Sequence, residues 1–327
     1  MDSYIIAGFE VLIGGNGDAK IKTAEFLRKF SVNGGDEERA SGAILSKNRE
    51  KLILQMECLA SEEEQLQKQH EVDGMKKSAE TSCYGIWHQL LIMDNDRDIC
   101  HLVKREKALT SGYLRANGAW DHLYLLDDCR EKDNKHPVWL RQMTTQRTAL
   151  DETSEWIELF LTGFYSYACL HQTMMMHASA VKYRNQAVLF TAPSGTGKTT
   201  QAELWQQYTD ASILNGDRVF IKQETDRKLT AWGSPWAGSS PYIVNDGAEV
   251  SAVVVLEQAG YESLDRIPPL EAMAELSDNA FLPLWDEKCL QGMLGVLDCL
   301  LESVPVYRLC CRPNEASVRL VRDEIFG

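Results

Sequence analysis

No stretch of this sequence reaches the roughly 20 consecutive apolar residues that a membrane helix needs, so no membrane partner is expected. The opening run MDSYIIAGFEVLIGGNG has no basic flank and carries Glu10 inside its apolar part, so it is not expected to act as a secretion signal. The nine cysteines are odd in number, scattered and without a CxxC pair, which excludes the usual disulfide frameworks and zinc ribbons. That usage fits reduced thiols, so a cytoplasmic location is expected. Basic residues are also scarce: 34 Lys and Arg stand against 48 Asp and Glu, for a formal net charge of −14. A surface so acidic repels a polyphosphate backbone, so no nucleic-acid partner is expected. A mononucleotide stays open, because local donors can outweigh a distant field that salt screens within about 10 Å. No GxSxG hydrolase motif occurs, and His88, His101, His122 and His136 lack the spacing of zinc ligands. No internal repeat is found.

What remains is an ordinary globular composition, 44% hydrophobic and 25% charged over 327 residues, enough for two domains. Residues 1–150 read as a β-rich region of unknown role, with strands expected at Tyr4–Ile13, Lys51–Cys58, Gly85–Met93, Ile99–Lys104 and His122–Leu126. Polar stretches at Asn33–Arg39, Ser61–Gly74 and Asp127–Lys135 read as loops or exposed segments. A boundary is expected near Thr148–Ser154. Residues 151–327 then take an α/β character, opening with a helix from the capping residue Ser154 to about Thr173. Met174–Met176 lead as core filling into a strand, His177–Lys182. A tight polar turn, Tyr183–Gln186, joins it to a second strand, Ala187–Thr191.

That second strand feeds Ala192-Pro-Ser-Gly-Thr-Gly-Lys-Thr-Thr200, which is followed at once by a helix expected over Thr199–Tyr208. A glycine-rich loop between an apolar strand and a helix is the setting of a phosphate cradle. Gly195 and Gly197 can take backbone angles closed to other residues, so that N–H groups from Ser194 to Thr200, Thr196 among them, turn toward phosphate oxygens. The helix adds its positive N-terminal end, Lys198 a point charge for the terminal phosphates, and Thr199 a hydroxyl for Mg²⁺. Ala192 stands where the strict motif has its first glycine. Nineteen residues after Lys198, Asp217 in Ile213-Leu-Asn-Gly-Asp-Arg-Val-Phe-Ile221 could hold the metal or accept a proton; Asn-Gly-Asp is also turn chemistry.

His177-Ala-Ser-Ala-Val, Ser194-Gly-Thr-Gly-Lys-Thr and Ile213-Leu-Asn-Gly-Asp-Arg-Val together resemble the catalytic domain of HPr kinase/phosphorylase, which shares a nucleotide-binding fold with phosphoenolpyruvate carboxykinase. The resemblance is specific over about residues 174–222. It implies a phosphoenolpyruvate carboxykinase/HPr kinase-like P-loop domain behind a β-rich N-terminal region, with ATP and Mg²⁺ as cofactors. It places catalytic roles at His177, Lys198 and Asp217, with the metal at Thr199 and Asp217. The acceptor it implies is a serine or threonine hydroxyl of a peptide or small protein, as in the related kinases of lasso-peptide precursors; a homo-oligomer stays open. Two departures stand out. The family's paired Asp-Asp-Arg is Gly216-Asp217-Arg218, and a family glutamate falls near Thr230. Arg218, Trp236 and Ser239 are candidate substrate or phosphate contacts, the last two in the loop Trp232–Ser240. A non-catalytic nucleotide-binding module and a carboxykinase are the rival readings.

Overall fold

The computed structural model describes residues 1–15, 23–32, 51–58, 77–81, 90–96, 99–106, 109–127 and 154–327. The polar stretches at 33–39, 61–74 and 128–135, the expected boundary at 148–153 and the strand start at 85–89 lie outside them. The chain is mixed α/β, with two sheets and several helices. It divides into two compact units: Met1–Tyr4, Glu10–Phe26 and Glu50–Tyr167 in one, and Ile5–Phe9, Leu27–Arg49 and Ala168–Gly327 in the other.

One sheet is built from β1 (Asp2–Ile6), β2 (Phe9–Gly15), β3 (Lys51–Cys58), β4 (Lys77–Thr81), β5 (Leu90–Asp96), β6 (Ile99–Glu106), β7 (Leu109–Asn117) and β8 (His122–Asp127). The order is β1-β2-β3-β8-β7-β6-β5-β4. Strands β2, β3 and β8 pair in parallel and β8 through β4 pair antiparallel. The single strand expected at Tyr4–Ile13 is two strands, because Ala7 and Gly8 both take positive φ (49° and 80°) and reverse the chain. Beyond that turn Phe9, Val11 and Ile13 alternate inward, and Glu10 pairs with Lys51 at 3.3 Å.

Helix α1 (Ser154–Leu170) follows. A Cβ at Gly163 would meet Leu123 Cδ1 at 2.6 Å and Leu114 Cδ2 at 3.1 Å, so this glycine lets the helix approach the sheet closely. The helix ends three residues earlier than its sequence pattern implies. Gln172 turns to φ 54°, and the amides of His171 and Gln172 close on Ala168 O and Cys169 O at 3.0 and 3.2 Å.

The second sheet begins with β9 (Thr173–Tyr183) and β10 (Gln186–Thr191). Met174, Met175 and Met176 lie inside β9 and are buried. Arg184 and Asn185 join the two strands with φ of 49° and 64°, the left-handed pair that suits a two-residue hairpin. Then come α2 (Lys198–Tyr208), β11 (Ser212–Asn215), β12 (Arg218–Gln223), β13 (Leu229–Trp232), β14 (Gly247–Gln258) and β15 (Ser263–Arg266). The chain finishes with α3 (Pro269–Asn279), α4 (Glu287–Ser303), β16 (Val306–Cys311) and α5 (Glu315–Phe326). The order is β10-β9-β12-β13-β14-β16-β15, with β11 also on β9.

Two features of this sheet position the site. Strand β10 pairs with β14 as well as β9, so β10, β9, β12, β13 and β14 form a closed hydrogen-bonded ring. Strands β11 and β12 run along β9 as one interrupted strand: Ser212 faces Lys182, Asn215 faces Ala180, and pairing resumes with Arg218 opposite His177. The interruption is Gly216-Asp217. Helices α2 and α5 cover the sheet through a buried cluster that includes Phe190, Ala202, Trp205, Val254, Val318 and Val321.

Candidate functional site

The loop after β10 is shaped by its two glycines. Gly195 and Gly197 have φ of 81° and 113°, conformations that side-chain-bearing residues resist. Gly197 caps α2 without a side-chain hydrogen bond, and the helix's first turn carries no acidic residue. Its leading N–H groups therefore meet no carboxylate from the helix's own first turn and remain suited to an anion. Ala192 needs no glycine freedom. It is fully buried, its methyl belongs to the apolar cluster, and its φ is not positive. Gln258, at the end of β14, donates from Nε2 to Thr196 O at 3.1 Å and ties down the loop's tip.

Lys198 is folded back over the loop, its ammonium donating to Ala192 O at 2.8 Å and Pro193 O at 3.2 Å. Burial pushes that ammonium below its ordinary value, and the charge of Asp217 draws it partly back. Its backbone is fixed as well, because the buried Ser179 hydroxyl donates to Lys198 O at 2.7 Å. Thr199 Oγ1 donates to Gly216 O at 3.1 Å. A hydroxyl that has given its proton to a carbonyl still offers lone pairs to a cation. Thr200 begins the second half of the same helical turn, and Ser194 is exposed on the loop.

Asp217 occupies the break between β11 and β12, and the ladder with β9 sets its neighbours. Ala178 N donates to Asp217 O at 3.0 Å. His177 Nδ1 lies 3.1 Å from Asp217 Oδ1 and 3.2 Å from Asp217 O. Both oxygens are acceptors, so that nitrogen carries the proton. Arg218 Nε lies 3.5 Å from Asp217 Oδ2. Burial works to raise the Asp217 carboxyl, but the hydrogen bond from His177 and the charges of His177, Arg218 and Lys198 outweigh it. The group is held below its ordinary value. An ionised carboxylate thus persists at neutral pH beside a buried lysine and a glycine-rich loop.

No protein-family model and no curated protein matches the chain. Among solved structures it is similar to the HPr(Ser) kinase/phosphatase of Coxiella burnetii. That match covers 46% of this chain and 95% of the other, at 14% identity and a TM-score of 0.28. A likeness of that size decides nothing about fold or chemistry.

The other expected contacts fall on the loop between β13 and β14. Trp236 is buried, its indole edge-on to Phe220 with centroids 6.0 Å apart, whereas Ser239 is exposed. Arg218 is buried, with its guanidinium 5.9 Å from the Phe281 ring centre. Among the described residues no group of three or more His, Cys, Asp or Glu gathers as a metal site. None of their helices is long and apolar enough to cross a membrane.

Sequence reasoning passed over two residues that build this site. Asn215 is wholly buried and organises the break: its Oδ1 accepts from Asp217 N at 2.8 Å and Arg218 N at 2.9 Å, and its Nδ2 donates to Ser234 O at 3.0 Å. The Asn-Gly-Asp turn signal pointed to it. Gly238, at φ 56°, lies so close to Asp217 that a Cβ there would stand 2.5 Å from Oδ2. Nothing local in the sequence marks that contact.

Proposed function

We propose that the chain is an ATP-dependent phosphotransferase that moves the γ-phosphoryl group to a serine or threonine hydroxyl of a peptide or small protein. In this reading the amides of the Gly195–Gly197 loop and the Lys198 ammonium bind the phosphates, releasing the lysine from Ala192 O and Pro193 O. Asp217 orients the attacking hydroxyl. The new Oγ–P bond forms as the bond from the γ-phosphorus to the bridging oxygen breaks, the hydroxyl proton passes to the Asp217 carboxylate, and ADP leaves. His177, donating from Nδ1, holds that carboxylate in place. Arg218 adds positive charge at its other oxygen. A magnesium ion would be held by Thr199 and Asp217, hard oxygen donors that suit it, and would neutralise charge on the phosphates. Phosphoryl transfer asks chiefly for such positioning and charge stabilisation.

The observation that carries the reading is the hydrogen bond of His177 Nδ1 to Asp217 Oδ1 at 3.1 Å beside the buried Lys198. The test is incubation with labelled MgATP and a pool of serine- and threonine-containing peptides. Asp217→Asn is expected to lower transfer by about 10²-fold or more, while the ATP dissociation constant measured without magnesium stays within about threefold. A nucleotide-binding module without transfer is the second reading, favoured by Gly216, which leaves Asp217 as the one carboxylate of the turn. ATP binding with no transfer to any peptide would select it.

A further inference from the structure

Gly216 leaves a side-chain space beside the Thr199 side chain, and that space is filled. A Cβ built on Gly216 would collide with Ser240 Oγ, would stand 2.7 Å from Ser240 Cβ, and would meet Thr199 Cγ2 at 3.6 Å. The Ser240 hydroxyl therefore occupies the position that a side chain at residue 216 would take, near the Thr199 methyl and one residue from Asp217.

The placement is built by several independent contacts. Ser240 N donates to Ala237 O at 2.9 Å and closes a turn over Gly238, whose own missing side chain lets it rest on Asp217. Before the turn, Asn215 Nδ2 binds Ser234 O, and Ser234 Oγ donates to Arg218 O at 2.8 Å. After it, Tyr242 OH donates to Glu203 Oε1 on α2 at 3.1 Å, and Ile243 makes a bridge to Asn215. The Ser240 hydroxyl oxygen accepts from Tyr242 N at 3.3 Å, which uses one of its lone pairs. Its second lone pair and its proton are not used by that bond.

We infer that Ser240 supplies a third oxygen to the magnesium–nucleotide site, holding a water of the hydrated ion beside Thr199 and Asp217. This rests on the proposed nucleotide reading. Its physical basis is the donor count. One carboxylate and one hydroxyl are a sparse set for an ion that demands six oxygens and gives up its water reluctantly. A further hydroxyl fixes the remaining water shell without adding a negative charge that would repel the phosphates. The ion then binds together with the nucleotide and not before it.

The test is calorimetry of ATP binding with magnesium and with chelator present, on the wild-type chain and on Ser240→Ala, with thermal unfolding measured alongside. Magnesium should tighten ATP binding to the wild type. In Ser240→Ala that gain should shrink by about tenfold, with magnesium-free ATP binding and the melting temperature little changed. Ser240→Thr, which keeps a hydroxyl, should recover part of the gain. An unchanged magnesium gain in Ser240→Ala would overturn the role of Ser240 and leave the nucleotide reading standing. So would an equal loss of binding with and without magnesium, which marks a purely structural residue. Absence of any ATP binding to the folded wild type would remove both.

Discussion

At the scale of single residues, the site depends on Asn215 as much as on the groups that would touch a ligand. Its amide satisfies two backbone N–H groups and one carbonyl in a place water does not reach. Asn215→Ala would orphan all three, and a buried polar group left without a partner costs about 1–3 kcal/mol. A loss of about 2–4 kcal/mol in unfolding free energy is expected, read from urea midpoints at constant slope. Asp217 gives a second prediction, in pH. Its folded-state value lies below the ordinary 3.8, so its ionised form adds stability that is fully present above 3.8 and is lost as pH falls through the lower, folded value. Urea unfolding between about pH 2 and 5 should show a flatter acid limb for Asp217→Asn than for the wild type. An acid limb of unchanged steepness would mean that His177, Arg218 and Lys198 do not stabilise that charge.

At the scale of elements, close approach of backbones fixes where helices lie. Gly292 in α4 sits against Cys169 O near the end of α1, and a Cβ there would collide with that carbonyl. A carbonyl at a helix end cannot swing aside as a flexible side chain can. Gly292→Ala is therefore expected to destabilise the chain by about 1–3 kcal/mol despite alanine's better helix propensity, and circular-dichroism melting will show whether it does. The elements also divide by how visible they were beforehand. Lys51–Cys58 has the bounds its pattern implied, because it is a largely apolar stretch that starts at a charged residue. The hairpin at Arg184-Asn185 was legible for the same reason: polar residues interrupt two apolar runs. Strands β12 and β16 were not picked out, since β12 opens on Arg218 directly after the Asn-Gly-Asp turn with a short apolar run, and Arg308 interrupts the apolar run of β16. The Ala7-Gly8 reversal has no proline, asparagine or aspartate to announce it. In the site, the glycine-rich loop and Asp217 stood out by local spacing, whereas His177 entered only through the family resemblance. The packing of Gly238 and Ser240 on Gly216-Asp217 could not, because it joins residues more than twenty positions apart through the absence of side chains.

At the scale of the molecule, the net charge of −14 sets a repulsive background for any anion. In the proposed function the Gly195–Gly197 amides, Lys198 and Arg218 would act against that background at short range, where salt screens them little. The closed ring of strands has a different reach, into biosynthesis. The strand that delivers the glycine-rich loop, Gln186–Thr191, has one neighbour supplied by residues just before it and the other by Glu249–Val255, some sixty positions later. A nascent chain in which Val255 is still inside the ribosome can form the hairpin but cannot close the ring. The loop proposed to hold a triphosphate thus gains both of its supporting strands only late in synthesis.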